Sequence, residues 1–419
     1  MTFSTSMYFV SLLLVLLQLL AALPWAWLLF LGSEDVLPYL RKWLQRARSG
    51  DPQARQAALG VGEVVLGVFV VPLLVTMFGG TGGTLENLGY AYTLALQIQL
   101  SVDAFIVFFA LLLTVWPKGG AIALAAFREG VRQPMFWLLF ALAFAALGVS
   151  PFIPYFTFGE DHLVVREIGY DTIMLAAMIF GALAASMSIS EEIEGRTAVT
   201  LMSKPVSRRH FLIGKFLGIA AASFVFFALL GIFFQGITLF KPFWDKMDPE
   251  STPKWITDAL AHWNLTGQAA DLMRGVGLWT HVTLDVAPGL ILGFSQVLVI
   301  AALAVSLATR VPMVVNLVAV VVFFFLAHLT PVLVDIGQKA QHDKPGAVVS
   351  QLLYFMSQLL NTFLPNLDYF RIDPALLKET PIEAIDFSSY LMKVSTYGIL
   401  YTSIMLLFGL ILFEDRDLA

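Results

Sequence analysis

The 419-residue chain contains no cysteine. That absence excludes disulfides, thiolate nucleophiles and Cys-ligated metals. Charge is scarce too: Asp, Glu, Lys and Arg make up 13% of residues against 58% hydrophobic, with mean hydropathy +0.80. Soluble domains carry about 25% charged residues, so a chain this poor in charge needs lipid as its solvent. The net charge of −5 shows no basic excess, and nucleic acid is not an expected partner. No G-x-x-x-x-G-K-[ST] occurs, the loop whose amides and lysine cradle nucleotide phosphates. The glycine-rich GGTGGTLE from Gly79 lacks the lysine. The six histidines, at 162, 210, 262, 281, 328 and 342, have no H-E-x-x-H or other metal-ligand spacing. No Ser-His-Asp order or carboxylate pair stands out as catalytic. An enzyme is therefore not expected, nor a metal or cofactor held by this chain.

What is present is a series of long apolar runs, and about 20 helical residues cross the hydrocarbon core. The chain reads as an all-α polytopic membrane protein with about nine spans, roughly 7–32, 59–79, 91–116, 135–158, 172–189, 211–240, 286–309, 311–330 and 390–413. Barrel-like alternation is absent, and helices satisfy their own backbone in lipid. The run from Met7 to Gly32 is too long for a signal peptide and lacks a basic leader, so it reads as a retained helix.

Basic residues orient the spans. Arg41, Lys42, Arg46, Arg48 and Arg55 lie in 33–58; Lys118, Arg128 and Arg132 in 117–134; Arg196, Lys204, Arg208 and Arg209 in the hairpin at 190–212. The alternate short loops, 80–90 and 159–171, are poor in base. The expected N-terminus is outside, the C-terminus and hairpin cytoplasmic, and 241–285 and 331–389 external. The apolar stretch 347–364 ends at Pro365 and reads as an interfacial or re-entrant helix. Trp25, Trp27, Trp116 and Trp137 sit near span ends, as in an aromatic belt.

Two polar stretches interrupt the apolar pattern. In GGAIALAAFREGVRQPMFWLLF from Gly119, Leu124, Phe127 and Val131 share one helical face, and Arg128 and Arg132 share another. Residues 119–133 thus read as an amphipathic helix in the inner interface, broken by Pro134, or as an ordinary juxtamembrane basic segment. The second stretch, EEIEGRTAVTLMSKPVSRRHFLIGKFLG from Glu191, offers about two helical turns over Thr197–Ser203, stopped by Lys204-Pro205. Ser207 stands at an N-cap position. The positive-inside rule accounts for its bases but not for Glu191, Glu192 and Glu194.

This hairpin resembles the signature of type-2 ATP-binding-cassette (ABC) permeases. The matching residues are Glu192 and Glu194, Thr197, Ser203 to Arg208, and the Gly-Lys-x-x-Gly at Gly214 to Gly218. FREGVRQPMFWLL is similar to that family's elbow helix entering its first span, and PNLDYF from Pro365 and LFEDRDL from Leu412 resemble further family positions. The likeness covers about 117–419. It implies a six-helix permease core preceded by a three-helix extension, 1–116, that matches nothing recognisable. It implies a coupling hairpin, including Glu191, Glu192, Glu194, Arg196, Thr197, Leu201, Lys204, Pro205 and Arg208, that seats on separate ABC ATPase subunits. ATP and magnesium would be held there. It further implies a second permease subunit, homo- or heterodimeric, in a cytoplasmic (inner) membrane, and an exporter as the prior. Arg196 intervenes between Gly195 and Thr197, where many members have Gly directly before Thr.

Three other features stand apart. Asp103 lies near the middle of span three, where a charge is costly and marks a functional site by default. The bland alternative is an interhelix hydrogen bond to Glu63 or Gln18. A secondary transporter built on Asp103 is the competing function, and a non-transporting membrane scaffold a third. Gly214 and Gly218 form G-x-x-x-G, which permits close helix contact or arises by chance among many small residues. Asn264-Leu265-Thr266 is a glycosylation sequon of a kind that chance also produces.

Overall fold

Helix alone builds the described part of the chain. The structure, a computed structural model, describes residues 5–22, 24, 82–155, 161–190, 192, 207–245, 252–343, 347–372 and 384–414. Its helices are α1 (Thr5–Ala21), α2 (Gly82–Val115), α3 (Pro117–Arg132), α4 (Pro134–Val149), α5 (Asp161–Ala185), α6 (Arg208–Trp244), α7 (Lys254–His262), α8 (Gln268–Ala308), α9 (Met313–Asp343), α10 (Val348–Phe363) and α11 (Ala384–Glu414). A π-helical turn, Ser186–Ser190, continues α5, and short 3-10 turns cover Ser150–Phe152 and Leu367–Phe370. No strand occurs among the described residues.

Seven helices among the described residues are long and apolar enough to cross a membrane: Gly82–Val115, Pro134–Phe152, Asp161–Ser190, Arg208–Trp244, Gln268–Ala308, Met313–Asp343 and Phe387–Glu414. Each overlaps one of the expected spans. The first expected span appears as a shorter apolar helix, Phe9–Ala21; the second, 59–79, lies outside the described residues. Several helices overrun the expected boundaries. α6 passes Pro242, α8 begins at Gln268 and passes Pro288, and α9 passes Pro331 to reach Asp343. Segments 241–285 and 331–389 were expected as external connections, yet much of both is helix. Polar residues such as Asp271, Arg274 and Asp335 end a hydropathy window without ending a helix.

The chain divides into two compact units. One comprises Met1–Thr114 and Asp245–Asp285. Its core gathers Met7, Val10 and Leu14 of α1 with Leu85 of α2 and Leu265, Ala269 and Leu272. α2 and the first part of α8 meet through glycines. A Cβ on Gly89 would lie 2.7 Å from the Val276 amide nitrogen, and one on Gly275 2.9 Å from the Glu86 carbonyl carbon. Polar contacts tie this unit together: Tyr92 donates to the Leu14 carbonyl at 2.6 Å and Trp279 Nε1 to Gln97 Oε1 at 2.8 Å. The Gln18 amide donates to Gln99 Oε1, and Asp103 is buried one turn further along α2. The link from α7 to α8 turns at Gly267, whose φ of 61° suits a residue without a side chain.

The other unit comprises Val115–Trp244 and Val286–Ala419. Within it α5 and α6 are mostly buried in their apolar stretch, 72% and 61%, while α4, α9 and α11 at 22–28% form the outer layer. Aromatic rings fill the α4–α5–α6 contact. Phe136 meets Phe180 and Phe226 edge to face, with centroids 5.1 and 5.4 Å away. Phe180 and Phe226 stack within 3° of parallel. Such edge and stacked pairings add to the burial of the rings.

α3 takes in the stretch expected as an amphipathic helix, 119–133, up to its C-cap Gln133. Its buried face is Gly119, Gly120, Ala123, Ala126 and Gly130, seated against the start of α6. Leu124, Phe127 and Val131 are only half-buried, and Arg128 and Arg132 are exposed.

Candidate functional site

The site grows from one lysine. α6 begins at Arg208, where the Ser207 hydroxyl accepts from the His210 amide at 3.3 Å and the Ser207 carbonyl from the Phe211 amide at 3.1 Å. Two turns in, Lys215 points inward with 5% of its surface exposed. A buried ammonium is tolerated only with charge partners and hydrogen bonds. Lys215 Nζ lies 2.6 Å from Glu192 Oε1, 2.8 Å from Ser188 Oγ and 3.3 Å from Glu129 Oε2. Ser188 donates in turn to Glu129 Oε2 at 2.9 Å. The ammonium's three N–H bonds have three acceptors on three different elements: the elbow helix α3, the π turn, and Glu192 at the mouth of the hairpin.

Ser186, Ser188 and Ser190 of the π turn are all buried, and such turns recur at functional sites. Ser186 Oγ accepts from Asn316 Nδ2 of α9 at 2.9 Å. Ser190 Oγ lies 3.2 and 3.3 Å from the carbonyls of Ala308 and Val311, where α8 hands over to α9. The last turn of α5 is thereby stitched to α3, α6, α8 and α9 by side chains of one run, Ser186–Ser190.

Glycine brings α3 and α6 together. A Cβ on Gly214 would lie 2.9 Å from the Gly119 carbonyl, and one on Gly218 2.6 Å from Ala126 Cβ and 2.9 Å from the Phe127 amide nitrogen. Only glycine lets the backbones meet this closely. The contact holds Glu129 within reach of Lys215. Beside it the His210 ring stacks on Trp116 at 5.2 Å.

The end of α11 closes the cluster. Arg208 Nη1 donates to the Phe413 and Glu414 carbonyls at 2.5 Å each, and its guanidinium lies 5.5 Å from the Phe413 ring centre. Arg310 Nε donates to the Leu412 carbonyl at 2.6 Å. Two arginines thus cap carbonyls that have no helical partner, at the negative end of the helix dipole.

Of the hairpin residues expected to matter, Glu192 and Arg208 take part in these contacts. Glu191, Glu194, Arg196, Thr197, Leu201, Lys204 and Pro205 lie outside the described residues, as does Glu63. Arg128 and Arg132 lie on the exposed side of α3 and Asp103 in the other unit. The sequence placed Lys215 in the Gly-Lys-x-x-Gly motif without a contact partner and gave Glu129 and Ser188 no role. The available signal was a lone lysine in an apolar run, since α6 has no other charge between His210 and Gln235.

A family model described as ABC-2 family transporter protein matches residues 120–418. The chain belongs to this family. It is an integral membrane protein and a permease component of an ABC transporter. The match begins within α3 and covers the Lys215 cluster and α11. No curated protein matches the chain.

Proposed function

We propose that this ABC-2 permease is the membrane pathway of an exporter driven by separate ABC ATPase subunits, and that the hairpin 190–212 receives their stroke. The carrying observation is the Lys215 cluster. One buried ammonium joins Glu192, at the mouth of the hairpin, to Glu129 of the elbow helix and Ser188 of the π turn. A push on the hairpin therefore reaches α3, α5 and α6 through short polar contacts rather than through a flexible loop. ATP and magnesium belong to the ATPase partner. On this reading 117–419 is the permease core, 1–116 an extension, and two permease subunits line the pathway in a cytoplasmic membrane, with the hairpin and C-terminus cytoplasmic and the N-terminus outside. Export, rather than import, rests on the family prior and on no residue of this chain.

The test is co-purification. Tagged wild type extracted in mild detergent is compared with a Glu192→Ala, Glu194→Ala, Arg208→Ala variant, and eluates are assayed for ATPase activity. Wild type is expected to carry an ATPase and the variant, equally inserted, to lose at least most of it. A wild-type eluate with no ATPase contradicts the proposal. It would return attention to Asp103 as the centre of an ion-coupled transporter.

A further inference from the structure

α3 does not cross the base of α6 but runs along it. The Trp116 ring stacks on His210. A Cβ on Gly214 would meet the Gly119 carbonyl at 2.9 Å, and one on Gly130 would meet Ala222 Cβ at 3.2 Å. From Trp116 to Gly130 and from His210 to Ala222 the two helices thus advance together in the same direction. α4 then keeps to α6: Phe144 stacks on Phe233 with ring centroids 3.9 Å apart, and Phe152 meets Trp244 at 4.7 Å. α4 with its terminal 3-10 turn, Pro134–Phe152, is 19 residues long. That is about 28 Å of helix, by itself the thickness of the hydrocarbon. α3 therefore lies beyond the acyl chains, on the hairpin's side, and its last turns are level with the lipid headgroups.

What α3 shows at that level is basic. Its small residues face α6. The opposite face, at spacings of three and four residues, is Lys118, Ala121, Ala125, Arg128 and Arg132, all exposed. Neither Arg128 nor Arg132 has an ion-pair partner among the described residues. α3 has one acidic residue, and α4 and α6 have none. That one, Glu129, is turned to Lys215, and so is Glu192 beyond the π turn. The other charges at the start of α6, Arg208 and Arg209, are basic again. Just past Arg132 the surface turns apolar. Trp137, Leu138 and Leu142 are each more than half exposed, a surface suited to acyl chains. A bilayer that solvates Leu138 and Leu142 brings its headgroups against Arg128 and Arg132. Guanidinium forks take phosphate oxygens two at a time. Basic side chains at a membrane surface favour anionic over zwitterionic lipid by about fivefold for each residue.

We infer that Arg128 and Arg132 bind the headgroup of an anionic phospholipid held against α3. The lipid sits beside Glu129, so its binding also braces the α3 side of the Lys215 contacts. Assigning that lipid to the cytoplasmic leaflet rests on the permease orientation proposed above; the binding itself does not.

The experiment uses the full chain, purified and delipidated in mild detergent. It is titrated with dioleoyl phosphatidylglycerol or dioleoyl phosphatidylcholine, and lipid adducts are read by native mass spectrometry. Wild type is compared with Arg128→Gln/Arg132→Gln, Arg128→Lys/Arg132→Lys and Lys118→Gln, at matched melting temperature in lipid-free detergent. Lys118 stands about 15 Å of helix before Arg128 and serves as the control. Wild type is expected to hold phosphatidylglycerol more tightly than phosphatidylcholine, by about fivefold or more. The Gln pair should lose that preference, the Lys pair should keep most of it, and Lys118→Gln should leave it unchanged. Millimolar glycerol 3-phosphate should not displace the lipid. A preference that is never present, survives the Gln pair, or falls as far in Lys118→Gln overturns the inference. Displacement by glycerol 3-phosphate overturns it too, since the site would then take free anions. Loss of a co-purifying ATPase in the Gln pair, with phosphatidylglycerol binding unchanged, gives the arginines to that partner instead. No ATPase enters the lipid titration, so the two proposals fail separately.

Discussion

Lys215 is costly to bury, and its three partners offset that cost unevenly. The Glu129 and Glu192 side chains are 42% and 29% exposed, so water can replace the lysine at each carboxylate. Ser188 is buried at 3% and has less recourse. Lys215→Met is therefore expected to cost on the order of 1–3 kcal/mol, and Ser188→Ala about 1 kcal/mol, read from chemical or thermal unfolding in detergent. Lys215→Arg, which keeps the charge and the donors, should recover part of the loss. Because Glu192 and Lys215 touch, Lys215→Met and Glu192→Gln should combine non-additively, with a coupling of roughly 0.5–3 kcal/mol. Strict additivity would show that the 2.6 Å contact carries no energy.

At the scale of the element, the α3–α6 contact depends on the absence of side chains. Gly218→Leu forces α3 away from α6, and overpacking of this kind costs about 1–3 kcal/mol. Gly236, on the same helix, has nothing within 4 Å of its would-be Cβ. Gly236→Ala is accordingly expected to be neutral or to raise stability by up to about 1 kcal/mol. Equal melting temperatures for the two variants would contradict the packing described here.

The helices themselves were legible in the sequence, because in lipid an apolar run of sufficient length has few alternatives to helix. Their ends were not. Pro242, Pro288 and Pro331 sit inside helices, where residues nearby can satisfy the freed backbone groups. The elbow's period was readable from Leu124, Phe127 and Val131, but the face it buries is its small one, since α6 offers Gly214 and Gly218 to pack on. The π turn left no periodic trace: five residues are too few. The ion pair of Arg371 with Glu167 joins positions 204 apart, and no spacing rule predicts it.

At the scale of the whole molecule, the chain's lack of cysteine turns the proposed orientation into a simple labelling experiment. A single cysteine at Thr266, on the external side of the expected topology, should react with an impermeant maleimide in intact cells. One at Ser203, in the hairpin, should react only after lysis. The reverse pattern would invert the topology and place the Lys215 cluster on the wrong side for an ATPase.

The central claim is that the hairpin seats on a nucleotide-hydrolysing partner and passes its motion on through Lys215. The most direct measurement is photo-crosslinking in living cells from a benzoylphenylalanine at Leu201, with adducts identified by mass spectrometry. The expected result is a principal adduct with a soluble protein carrying a phosphate-binding G-x-x-x-x-G-K-[ST] loop, diminished when Glu192→Ala and Arg208→Ala are added. Adducts confined to lipid, or to proteins without such a loop, would contradict it.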